Sequence, residues 1–175
     1  INAGKTPIIE KDIGDIIQRN VLEGRLRATT DVHSAVKHTD LSLICVGTPS
    51  QGNGHIDLKY VKRVCEQIGE ALKDHPGHTV VVRSTVLPGT TEDLVQPALE
   101  RGSGMRAGAD FGLAMNPEFL REGSSIRDFY EASRTIIGAN DERSAEQVTA
   151  AYEGLDAPFE VVPILAALAK AHRVL

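Results

Sequence analysis

Short apolar runs rich in strand formers alternate along this chain with longer stretches of helical period, and that alternation restricts its folds more than any other feature. Ile13, Ile16, Ile17 and Val21 share one helical face in a segment that stops near Gly24. A short strand is expected over 25–29. Asp31 is placed to cap a small helix bearing Ala35 and Val36, after which residues 41–46 form a nearly continuous apolar run that reads as a buried strand. Asp57 is placed to cap a longer helix whose stripe is Val61, Val64, Cys65, Ile68, Ala71 and Leu72, closed by His75-Pro76-Gly77. Further strands are expected at 79–82, 111–115, 134–137 and 159–162, with helices over 91–101, 144–154 and 163–175. Strands apolar on both faces that alternate with helices predict an α/β chain with a parallel sheet covered on both sides.

The 175 residues suit one ordinary globular domain. With 41% hydrophobic residues the chain is too apolar for disorder, yet no run approaches the ~20 residues of a bilayer span, so no membrane partner is expected. Its 19 Lys and Arg against 24 Asp and Glu give a net charge of −5, without the basic surplus that a phosphate backbone demands, so no nucleic acid is expected either. Cys45 and Cys65 lie within apolar patterns and read as small core residues, which gives no disulfide framework and fits the reducing cytoplasm. The opening Ile1-Asn2-Ala3-Gly4 carries no signal-peptide pattern. The six histidines are scattered and read as surface residues, so no metal site is expected.

Open parallel sheets bind ligands beyond the carboxyl ends of their strands. Three strand ends here carry unusual sequence: Gly47-Thr48-Pro49-Ser50, Arg83-Ser84-Thr85 running to Pro88-Gly89-Thr90, and Asn116-Pro117-Glu118-Phe119-Leu120-Arg121-Glu122-Gly123. In a parallel sheet all three emerge on one edge, bringing hydroxyls, an arginine and two carboxylates towards one crevice. Each also has a structural reading. Thr48 and Pro49 can make a turn, Thr90 can cap the next helix, and Asn116-Pro117 is a good cap followed by a good first helical residue. On that reading Glu118 and Glu122 lie on one helix face, a like-charged pair that costs stability unless something uses it.

These segments, in order and spacing, resemble the nucleotide-sugar 6-dehydrogenase family, which includes UDP-glucose and GDP-mannose dehydrogenases. Gly47-Thr48-Pro49-Ser50, Asn53-Gly54 and Asp57-Leu58 look most like the GDP-mannose branch. The resemblance implies a Rossmann-like sheet with helices on both faces, lacking the family's first strand-turn-helix unit. Residues 1–162 would be a partial NAD-binding domain, and 163–175 the start of the helix leading to a central domain. It further implies NAD as cofactor, GDP-mannose as substrate, and four-electron oxidation of the sugar C6 alcohol through a covalent thiohemiacetal on a cysteine. By the same resemblance Thr48 contacts NAD, Thr85 lies between cofactor and substrate, and Glu118 is the acid/base of thioester hydrolysis. Phe119, Leu120, Arg121 and Glu122 supply substrate backbone contacts, with Glu122 also near the cofactor. Full-length relatives are expected to be homo-oligomers.

The pyrophosphate turn of the family is not found. Gly102-Ser103-Gly104-Met105-Arg106-Ala107 matches its letters but follows a helix and precedes a strand, so it reads as a loop. Neither cysteine is in the place of the nucleophile. Leu165 to Lys170 resembles the helix that supplies the family's catalytic lysine, with Lys170 at a suitable separation from Glu118. The neighbouring acid is replaced by Ala167, however, and the asparagine expected one turn on by Val174. A solvated helix lysine is the competing reading. The chain is thus expected to be a catalytically weak piece of a GDP-mannose 6-dehydrogenase-like enzyme. The alternatives are the UDP-sugar branch and a non-catalytic α/β binding module, which would present an exposed apolar patch.

Overall fold

The computed structural model describes residues 1–52 and 54–171. The chain forms two compact units, one from Ile1–Thr30, Phe119–Ser133 and Leu155–Ala157, the other from Asp31–Glu118, Arg134–Gly154 and Pro158–Leu175.

The larger unit is built on a five-stranded sheet in the order β1 (Leu41–Ile44), β2 (Thr79–Val82), β3 (Gly112–Met115), β4 (Thr135–Ala139) and β5 (Phe159–Val162). Strands β1, β2 and β3 are parallel, and so are β4 and β5. The expected all-parallel sheet fails at one place, because β4 runs antiparallel to β3. A parallel neighbour needs a crossover that carries the chain back along the whole strand. Here the chain leaves the carboxyl edge after Asn116 and re-enters beside it, with the Asn116 side-chain amide bonded to the Ile136 carbonyl at 2.9 Å.

β2 and β3 are buried throughout. β1 is not the buried strand its composition suggests: Ile44 is 2% exposed but Leu43 45%. Among the described residues β1 pairs on one side only, and along it Leu43 and the following Cys45, which alternate with the buried Ile44, are exposed. No strand forms over 25–29. There the Ala28 backbone bonds to the Asn2 side chain, N–H to Oδ1 at 2.6 Å and carbonyl to Nδ2 at 2.8 Å, which replaces a strand partner.

Among the helices of this unit, α2 (Val32–Lys37) starts from Asp31, whose carboxylate accepts the Ser34 N–H. α3 (Lys59–Leu72) buries Val61, Cys65, Ile68, Ala71 and Leu72 as its stripe predicts. Its cap position is Leu58, while Asp57 accepts the Lys59 N–H at 3.0 Å. α4 (Gln96–Ser103) follows a π-helical turn, Thr91–Val95, beside Pro97, which has no N–H to continue an α ladder. Thr90 is helical and makes no capping bond. At the α3–α4 crossing a Cβ on Gly102 would meet the Gly69 backbone at 3.0 Å, and Gly104 ends α4 in the left-handed region at φ 72°. The Gly102–Gly104 pair therefore ends and packs a helix, and the expected loop begins only after it. α6 (Glu142–Ala150) starts from Asp141, and α7 (Ile164–Ala171) buries Ile164, Ala167, Leu168 and Ala171. Val174 and the end of the predicted 163–175 helix lie outside the described residues.

His78 is a core residue, not a surface histidine as expected. It is 1% exposed, with Nδ1 bonded to the Thr39 carbonyl and Nε2 to the Ser42 hydroxyl, both at 2.8 Å. The smaller unit carries α1 (Ile13–Leu22) and α5 (Ser125–Tyr130). Among the described residues no helix is long and apolar enough to cross a membrane.

Candidate functional site

Because β1, β2 and β3 are parallel, their following turns meet at one edge of the sheet. The β1 and β2 turns are bonded to each other at several points. The Arg83 and Ser84 N–H groups both donate to the Ile44 carbonyl at 2.9 Å. The buried Ser84 hydroxyl donates to the Val46 carbonyl at 2.7 Å, and the Thr48 hydroxyl to the Thr85 carbonyl at 2.7 Å. Thr48 is half-buried there, while Thr85 is exposed.

The β2 and β3 turns are joined through side chains. Arg83 Nη1 donates to Asn116 Oδ1 and, at 2.7 Å, to the Tyr152 hydroxyl, which itself donates to Asn116 Oδ1. Asn116 is 1% exposed and its amide nitrogen holds the Ile136 carbonyl, so its polar atoms are committed to the sheet. It therefore does not cap a helix, as one structural reading expected. Residues 116–121 are irregular, and Glu118 and Glu122 share no helix face.

Glu118 is exposed at the end of this third turn. Its charge and that of Arg83 both reach Cys45. Desolvation pushes the Cys45 thiol up, Arg83 opposes that and Glu118 adds to it, so the group stays a thiol and a poor nucleophile near neutral pH. Cys45 is exposed beside Leu43 rather than buried in the core as its pattern suggested. Cys65 is buried, and desolvation pushes it up to about 12.

Phe119, Leu120, Arg121 and Glu122 belong to the smaller unit. Arg121 forms a two-pronged bond to Asp128, Nε at 3.0 Å and Nη2 at 2.7 Å, and this contact holds the Asp128 carboxyl well below the usual range. The Arg121 N–H also donates to Asp128, and its carbonyl accepts the Ser124 N–H, so its backbone is already engaged. Glu10 accepts the N–H groups of Gly123 at 2.9 Å and Ser125 at 3.2 Å, at the start of α5. Lys170 is not brought to Glu118. Its ammonium is paired with Glu160 of β5, which also faces Arg134 at 3.6 Å.

Sequence pattern marked Thr48, Thr85 and Glu118 but missed what joins their turns. Arg83 is legible as a cation following Val80, Val81 and Val82 and counts among the strand-end groups, though not as what joins the turns. Tyr152 left no signal, since it arrives from the end of α6, 69 residues beyond Arg83. A groove of about 960 Å³ runs between α6 and β5, with Phe159 37% and Val161 52% exposed; Tyr152 lines it, and none of Thr48, Thr85 and Glu118 does. Among the described residues no group of three or more His, Cys, Asp or Glu is placed to hold a metal ion.

The sequence matches the model of the UDP-glucose/GDP-mannose dehydrogenase family, NAD binding domain, over residues 1–156. It is 50% identical over 165 residues to the GDP-mannose 6-dehydrogenase of Pseudomonas putida, covering 94% of this chain and 38% of that protein. It is 52% identical over 160 residues to the GDP-mannose 6-dehydrogenase of Azotobacter vinelandii, covering 91% and 37%. The fold superposes with a TM-score of 0.95 and 44% identity on the crystal structure of a ternary complex of GDP-mannose dehydrogenase from Pseudomonas aeruginosa, over 99% of this chain and 40% of that one. The chain thus spans less than two fifths of the length of the curated relatives it matches.

Proposed function

Since the chain belongs to the UDP-glucose/GDP-mannose dehydrogenase family and matches its NAD-binding domain, we propose that it serves in the NAD-dependent oxidation of GDP-mannose at C6 to GDP-mannuronate. The observation that carries this reading is the joining of the three strand-end turns, above all the 2.7 Å bond from the Thr48 hydroxyl to the Thr85 carbonyl.

The polar groups left facing that edge are hydroxyls, which donate and accept, and a carboxylate, which accepts, a set that fits the ribose and carboxamide of a dinucleotide and the hydroxyls of a sugar. NAD bound there would supply the hydride acceptor, and the two hydrides released from C6 would need two NAD in succession. Thr48 would hold the cofactor, and Thr85 would orient a water between cofactor and sugar. With the thioester carried by a cysteine other than Cys45 and Cys65, Glu118 would take a proton from that water as it attacks the thioester carbon, and return it to the departing sulfur. Backbone groups of Phe119, Leu120 and Glu122 would meet the sugar, with Glu122 also towards the cofactor. Arg121 is already engaged by Asp128 and Ser124. Lys170, held by Glu160, is assigned no step. The free thiols and the use of a nucleotide sugar with NAD extend the reading to a cytoplasmic location.

The test is NADH formation by the protein as its gene encodes it, with GDP-mannose and UDP-glucose supplied separately. GDP-mannose is expected to yield two NADH per sugar, and Glu118→Gln to lower turnover by roughly 10²–10⁴-fold. Preference for UDP-glucose would move the protein to the UDP-sugar branch. Turnover of neither would leave a non-catalytic α/β module, to which the exposed α6–β5 groove would then belong.

A further inference from the structure

We propose that Arg83, Asn116 and Tyr152 form a positioning cluster that sets the distance between the Thr85 turn and the Glu118 turn, a role that rests on the function proposed above. Arg83 stands two residues before Thr85, and Asn116 two residues before Glu118. The contact between Arg83 and Asn116 is thus a cross-brace at the root of both turns. Tyr152 closes it from a third element, accepting from Arg83 at 2.7 Å and donating to Asn116.

The cluster is physically costly, which argues that its geometry matters. It places a half-buried guanidinium and a 1%-exposed amide among Val82, Met115 and Ile136, all fully buried. The buried polar atoms of Asn116 and the Tyr152 hydroxyl are matched. Asn116 Oδ1 takes two donors, its amide nitrogen fills the Ile136 carbonyl just where β3 stops pairing, and the Arg83 guanidinium lies over the Tyr152 ring at 5.9 Å. Desolvation raises the Tyr152 pKa from 10.0, against the opposing charge of Arg83, so its hydroxyl keeps the proton it donates. With Arg83 Nη1, Asn116 and Tyr152 bonded to one another, a slip of one turn against the other breaks a bond among them. Arg83 and Tyr152 are positioning residues: they would act through Thr85 and Glu118, without touching substrate.

Tyr152→Phe keeps the ring and removes only the hydroxyl, and Arg83→Lys keeps the charge but lacks the Nη1 that donates to both Asn116 and Tyr152. In the protein as its gene encodes it, both variants are expected to lower kcat roughly ten- to hundredfold with KM for NAD and nucleotide sugar held within about twofold. The amides of Arg83, Ser84 and Asn116, bonded to Ile44 and Val82 at 2.9 Å, are expected to exchange several-fold faster. The Thr79 amide at the opposite end of the sheet is expected to keep its rate. Wild-type rates at all three amides would overturn the cluster whether or not the protein turns over nucleotide sugars. So would kcat and KM changing in parallel with a general loss of protection. Faster exchange at those amides in a protein that oxidises no nucleotide sugar would uphold the brace and defeat the assigned reaction instead.

Discussion

At His78 the imidazole is enclosed between the Thr39 carbonyl and the Ser42 hydroxyl, and desolvation lowers its pKa from 6.5, with the Thr39 bond opposing. The unfolded chain titrates this ring at its ordinary value, so between that value and the lower folded one the unfolded state binds the extra proton. Stability from this residue is fully present above 6.5 and falls as the pH drops below it. Thermal unfolding of the wild type and of His78→Asn is expected to show a Tm gap that narrows from about pH 7.5 to about pH 5.5. Asn116→Ala strands the Ile136 carbonyl and removes the shared acceptor of Arg83 and Tyr152, at an expected cost of about 1–3 kcal/mol in urea unfolding. Thr48, Thr85 and Glu118 stood out in the sequence because strand-end hydroxyls and carboxylates are conspicuous after apolar runs. Asn116 was legible only as a helix cap, since nothing near it in the chain names Ile136 or Tyr152 as its partners.

Among the elements, the α3–α4 crossing sets a clear sign. Alanine at Gly102 gains up to about 1 kcal/mol of helix propensity, but its Cβ would press on the Gly69 backbone at 3.0 Å. Gly102→Ala is therefore expected to lower stability by about 1–3 kcal/mol, read as a lower urea midpoint at unchanged slope. The α3 stripe was readable because a 3.6-residue period is a local property, and Asp31 capped as expected because its partner is three residues away. Asn116 failed as a cap for the opposite reason, its side chain being drawn away by groups distant in sequence. The 25–29 strand failed likewise, when Asn2 took the backbone bonds of Ala28.

For the molecule as a whole, this chain by itself is expected to bind NAD more weakly than millimolar in calorimetry. Among the described residues no G-x-G-x-x-G turn joins a strand to a helix N-terminus where it could hold the pyrophosphate. A micromolar affinity would require a phosphate site built some other way. The sequence by itself determined the α/β class, where along the chain the five strands of the sheet lie and the three motif-bearing turns, because apolar period and turn chemistry are written over short spans of chain. Only the tertiary structure decided that β4 reverses, that β1 leaves Leu43 and Cys45 uncovered, that His78 is buried and that Tyr152 braces the strand ends. Each of those outcomes depends on groups tens of residues apart, and the free energy of burying and pairing them appears only once the chain has closed around them.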